Sequence, residues 1–186
     1  MIGRALTALG RALDHPDPLT AAMNTVAAVL AGNTPFYPIY LYVVLGRDAT
    51  PMILLTLCSL PFWCAVPMLA RRSGVAARVF LTVIGVLNTL WCAVVLGFNT
   101  GIALFLIPCI LLATLGFHRA ERRLMLGLSA LPFLAYGVLR YAPMGPLMRM
   151  SAAAQRDLVT LNGFSVACLC AFLGYRFAGA RPTKLP

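Results

Sequence analysis

From Val79 to Phe117 the chain carries no charged residue, and only the turn Phe98-Asn99-Thr100-Gly101 divides the run. Each half is close to the roughly 20 apolar residues that cross a bilayer's hydrocarbon core. Two such runs joined by a short uncharged turn read as an antiparallel hairpin. A backbone inside hydrocarbon must satisfy its own N–H and C=O groups, so both halves are expected to be helices. The loop that follows, His118 to Arg123, contains Arg119, Arg122 and Arg123, and basic residues on one side of a hairpin mark the direction of crossing.

The rest of the chain repeats this logic. With 61% hydrophobic and 11% charged residues, it has more apolar surface than a soluble domain of 186 residues buries. The class is therefore all-α: a polytopic integral membrane helix bundle with six transmembrane helices. That length is also too short for a membrane domain plus a soluble catalytic domain. The net charge of +10 does not point to nucleic acid, because the arginines are scattered through short loops with no stripe or aromatic-interleaved patch. Cys58, Cys64, Cys92, Cys109, Cys168 and Cys170 all lie within apolar runs and read as small packing residues. Cys168 and Cys170 stand about 200° apart on a helix, which disfavours a paired metal site.

Met1 to Leu13 places Ile2, Leu6, Leu9 and Leu13 on one stripe, an amphipathic segment of the kind that lies on a membrane surface. The prolines after Asp14-His15 end it, so residues 1–18 form an N-terminal segment and not a secretory signal. The six spans are expected over residues 19–46, 49–70, 79–98, 101–117, 124–139 and 158–177, followed by a basic tail over 178–186. The first is broken at Gly32-Asn33-Thr34-Pro35 and again at Pro38. Asn33 or Thr34 is suited to cap a new segment that begins at Pro35. Phe36, Tyr37, Tyr40 and Tyr42 then suit an interfacial belt. Leu147 to Ala154 is expected as a small surface helix in the longest loop. No internal repeat is evident, so an inverted-repeat transporter finds no support.

Lysines and arginines sort unequally between the two sides. The N-terminus, the loops at 71–78 and 118–123 and the tail carry eleven, whereas Arg47, Arg140, Arg149 and Arg156 are the four on the other side. This places both termini in the cytoplasm of a bacterial inner membrane.

Polar side chains within the spans are the candidates for chemistry. Asn33 and Asn88 need hydrogen-bond partners at mid-depth and read first as interhelical glue, with a ligand contact near the break as the functional alternative. Thr34 and Tyr37 belong to the break, Trp91 packs one turn beyond Asn88, and Asn162 opens a Gly163/Ala167/Ala171 small-residue stripe suited to close helix contact. His118 reads as a solvated interface histidine. The spans hold no acidic residue, which proton-coupled carriers usually need. No nucleophile–base set, CxxC or phosphate loop occurs, so no catalytic, cofactor or metal site is expected.

The third span, the turn Phe98-Asn99-Thr100-Gly101, the span Ile102 to Phe117, the basic loop and a last span opening with Leu161-Asn162 have a familiar layout. Over roughly Ala49 to Phe177 it resembles the six-helix membrane domains that precede the catalytic domains of bacterial class III adenylate cyclases and diguanylate cyclases. The resemblance implies a sensing or anchoring role, and the chain reaches Pro186 without a catalytic domain. The expectation is a non-enzymatic inner-membrane protein of sensor-like or scaffold type. It would work through helix packing with a membrane or cytoplasmic signalling partner or as a homo-oligomer. The alternative is a small transporter or channel that uses the broken first span.

Overall fold

The computed structural model describes residue 10 and residues 13–142 and 145–180. The expected amphipathic segment falls almost wholly outside these, as do Arg181 and Lys184 of the tail. Among the described residues the chain is all-helical, with no strand. Five helical stretches are long and apolar enough to cross a membrane: Pro18–Leu45, Arg47–Ala70, Gly74–Leu96, Arg119–Tyr141 and Ala152–Ala178. The shortest of them has 23 residues, which at 1.5 Å per residue reaches about 34 Å, more than a ~30 Å hydrocarbon core. Between the third and fourth lies a shorter apolar helix, Ile102–Leu115.

Helix α1, Pro18–Asn33, starts where the sequence supplies a cap. The Asp17 carboxylate accepts from the Leu19 and Thr20 N–H groups, and Pro18 needs no partner at the first helical position. At the break, Thr34–Phe36 tightens into a 3-10 turn before α2, Tyr37–Leu45. Asn33 and Thr34 keep right-handed helical backbone angles, so the chain never opens far enough for either to act as a cap. Asn33 makes no side-chain cap bond, and the Thr34 hydroxyl donates back to the Leu30 carbonyl at 2.7 Å. The first stretch is thus one helical rod with a proline-tightened turn and not two capped segments.

The second stretch is α3, Thr50–Leu54, a 3-10 turn, and α4, Leu60–Ala70, with Pro51 and Pro61 near the helix starts and Pro67 inside α4. Helix α5, Gly74–Leu96, begins at a Ser73 cap and ends at Gly97, whose φ of 95° only glycine adopts freely. A 3-10 turn leads into Ile102–Phe105 and α6, Leu106–Leu115. Helix α7 covers Arg122–Tyr141 and α8 Ala152–Ala178.

No separate surface helix forms over 147–154. The Leu147 N–H is bound to the Val94 carbonyl at the end of α5, and the Ser151 hydroxyl, accepting from Ala154 N–H, starts α8 at Ala152. Ala152-Ala153-Ala154 are the best helix formers available, so the last helix begins well before the residues hydropathy alone marks as its start.

Helix α5 is the centre of the bundle. Its Ala77 and Leu81 join Met23, Trp63 and Phe177 at one end, Val86 and Ala93 meet α6 and α7, and Val95 and Leu96 meet Leu41 and Leu158 at the other end. Leu19 and Phe177 belong to one cluster and Arg176 donates to the Thr25 hydroxyl, so the first half of α1 and the end of α8 lie together. Outside, the helices present large apolar side chains such as Val43, Phe133, Leu134 and Phe164. A surface of that kind is stable against lipid and not against water.

Candidate functional site

Two polar constellations stand at opposite ends of this bundle. At the first, Arg78 is the fifth residue of α5, near its N-terminus, and is only 2% exposed. A cation there opposes the helix dipole and loses its hydration, so it must be paired. The Glu121 carboxylate accepts from both terminal guanidinium nitrogens, at 2.9 and 2.7 Å, in the bidentate geometry that suits arginine. The Gly116 carbonyl accepts at 3.1 Å, Asp17 stands 3.7 Å from Nε, and the Phe117 ring centroid is 5.3 Å from Cζ. Glu121 also accepts from the His118 N–H, which fixes the turn that carries both residues.

Asp17 links this cluster to α1. It accepts from the Thr20 hydroxyl and from His118 Nε2 at 2.9 Å, and its own N–H donates to His15 Nδ1. Partial burial pushes its carboxyl pKa up. The Thr20 hydrogen bond, the His118 hydrogen bond and the Arg78 charge outweigh that and hold it at about 2, below the ordinary 3.8. The starts of α1, α5 and α7 are thereby tied into one charged knot. The α6–α7 turn joins through Gly116, where an added Cβ would lie 1.9 Å from Met23 Cε.

At the other end an amide does the tying. Asn162 of α8 is fully buried; its Nδ2 donates to the Thr100 carbonyl at 2.9 Å, and its Oδ1 accepts from the Tyr37 hydroxyl at 3.0 Å. One side chain thus joins the last helix, the α5–α6 turn and the first residue of α2. Gly101 makes the approach possible: its φ is 76°, and an added Cβ would meet Val159 Cα at 3.1 Å.

The sequence candidates therefore separate. Tyr37 and Asn162 are brought together, and Thr100 completes their set. Thr34 bonds within its own helix, and Asn33 is exposed, with no side-chain hydrogen bond among the described residues. Asn88 is half-buried, with only a 3.8 Å contact from the Cys92 thiol, and it borders a cleft of about 390 Å³ with Trp91 and Phe62. Trp91 Nε1 donates to the Leu55 carbonyl in the proline-rich second stretch. Ala167 and Ala171 are exposed, turned away from the buried Leu158, Asn162, Val166 and Leu173 face of α8, and Gly163 is half-buried on the flank of that face.

Sequence reasoning missed the Arg78 knot by counting Arg78 as a loop charge and His118 as a lone interface residue. The available signal was positional: Asp17, Arg78, His118 and Glu121 each flank an apolar run on the same side. No protein-family model matches the chain, and comparison with curated proteins and with solved structures finds no significant match.

Proposed function

We propose that this is a non-enzymatic, six-crossing protein of a bacterial inner membrane, of sensor-like or scaffold type, acting through helix packing with a partner or with its own copies. The observation that carries the reading is the way α8 is held. Its Asn162 bonds Tyr37, and its Arg176 donates to the Thr25 hydroxyl at 3.2 Å, so the first stretch grips the last helix near both ends. At 1.5 Å per residue the two anchor points are about 18 Å apart along the first stretch and about 21 Å along α8. The helices run side by side and antiparallel. The exposed side of α8 carries Ala167 and Ala171, with Gly163 half-buried at its edge, a composition that lets another helix approach closely in a membrane.

The same geometry supports an even number of crossings. Five would place Pro18 and Ala178 on opposite sides, whereas α1 and α8 begin and end together. The short Ile102–Leu115 segment makes the sixth pass, returning from the Thr100 turn to the Arg78 knot. The charge excess assigns the knot, and with it both termini, to the cytoplasm. This layout fits the likeness to the membrane domains of bacterial class III adenylate and diguanylate cyclases.

Crosslinking in native membranes tests the reading. Joining of the chain to a second polypeptide or to itself through the α8 face, lost in Ala167→Leu, is the expected result. A chain that stays monomeric and partnerless, with Ala167→Leu behaving as the parent, would contradict it.

A further inference from the structure

Beside the Asn162 tie, the α5–α6 turn, the end of α7 and the 145–150 loop enclose a cleft of about 510 Å³. That volume is within the range of small-molecule sites. Its apolar part comes from Leu96, Phe98, Leu139, Met148 and Met150, and its cationic groups are Arg140 and Arg149. Among the described residues the lining contains no carboxylate. Asp48 borders a neighbouring cleft that shares Arg149, but among the described residues neither arginine is within ion-pair distance of an acid. Arg140 Cζ lies 6.0 Å from the Tyr141 ring, which is itself exposed.

The 145–150 loop is tied to the end of α5. Leu147 N–H is bonded to Val94, and Gly97 leaves room for Pro146, whose Cβ lies 3.2 Å from where a glycine Cβ would stand. A cleft that combines apolar side chains with two exposed guanidiniums, and among the described residues no acid, favours one chemistry. The fork of an arginine matches a carboxylate or phosphate, and the thioether and aromatic surfaces match a hydrocarbon body.

We propose that this cleft binds an anionic amphiphile, a single carboxylate or phosphate head on a short apolar body, presented from the non-cytoplasmic side. The side rests on the orientation proposed above; the chemistry does not. The ligand would sit against Thr100, whose carbonyl holds Asn162, so occupancy would bear directly on the tie between the first and last helices.

The head can come from a soluble carboxylate or from an anionic lipid, and the test separates the two. The full chain is placed in phosphatidylcholine nanodiscs and titrated with hexanoate and with hexanol by calorimetry. In parallel, mixed nanodiscs containing phosphatidylglycerol are examined for lipid retained on the protein by native mass spectrometry. Hexanoate binding that exceeds hexanol at least tenfold, or selective phosphatidylglycerol retention, is expected. Either should fall at least tenfold in the Arg140→Gln/Arg149→Gln variant with its melting temperature unchanged. Equal hexanoate and hexanol binding without lipid selectivity, no binding of either ligand class, or binding indifferent to the double substitution would overturn the site. The role of occupancy is read separately, from crosslinking yield at the α8 face with and without hexanoate. Binding with unchanged crosslinking would uphold the site and contradict the sensor reading.

Discussion

Arg78 shows why a charge in an apolar chain is informative. Its burial is stable only because Glu121 meets it with two hydrogen bonds and Asp17 lies close by. Removing one partner of a buried pair leaves an uncompensated charge, at a cost of about 3 kcal/mol. Glu121→Gln should therefore destabilise more than Arg78 and Glu121 replaced together by Met and Leu, which removes both charges. Denaturant unfolding in detergent compares them, and equal losses would contradict the pairing.

Asp17 adds a pH dependence whose sign is fixed. Its folded pKa of about 2 is below the ordinary 3.8, so its contribution is complete above about pH 4 and disappears as pH falls towards 2. Melting temperature should drop over that window, and Asp17→Asn should flatten the drop while lowering stability at neutral pH. An Asp17→Asn profile parallel to the parent's would show that another group titrates. At the opposite tie, Tyr37→Phe removes one hydrogen bond and leaves the Asn162 oxygen buried without it. The expected loss is about 1 kcal/mol, with Asn162→Leu costing more.

At the level of elements, the apolar runs were legible because roughly 20 uncharged residues have few alternatives to a membrane helix. The true start of α8 was not, because Ser151 to Asp157 is polar, and hydropathy sees only the part that lies in hydrocarbon. The break at Pro35 was legible as a break. Its consequence was not, since a 3-10 turn absorbs the missing N–H without opening the helix. Asn162 was recognised as polar within a span, but its partners lie far away in sequence, a pairing no local pattern encodes. The α5–α6 turn depends on Gly101, where a side chain needs both an unfavourable φ and space occupied by Val159. Gly101→Ala should cost about 1 to 2 kcal/mol and disturb the Asn162 bond. Stability and the proximity of α2 to α8, read by cysteine crosslinking at the neighbouring Leu41 and Leu158 with Tyr37 and Asn162 kept, check both effects.

At the scale of the molecule, the charged knot and the amide tie convert six apolar rods into a bundle with defined ends. Hydrophobic matching alone gives helices no register in lipid, so directional bonds at two depths set how the first and last helices align. The anion cleft adjoins one tie, and the exposed small-residue face of α8 lies between the two. A ligand-dependent change at the cleft thus has a physical route to α8, through the Thr100 carbonyl and the Asn162 amide bonded to it.

The six-crossing bundle depends most directly on the return of the short Ile102–Leu115 segment across the membrane. With the six native cysteines replaced by alanine, single cysteines at Asn99 and Arg119 are labelled in intact cells with a membrane-impermeant maleimide. Asn99→Cys should react from outside, and Arg119→Cys only after the membrane is permeabilised. Labelling of both from the same side would contradict the six-crossing bundle and the antiparallel pairing of its first and last helices across the membrane.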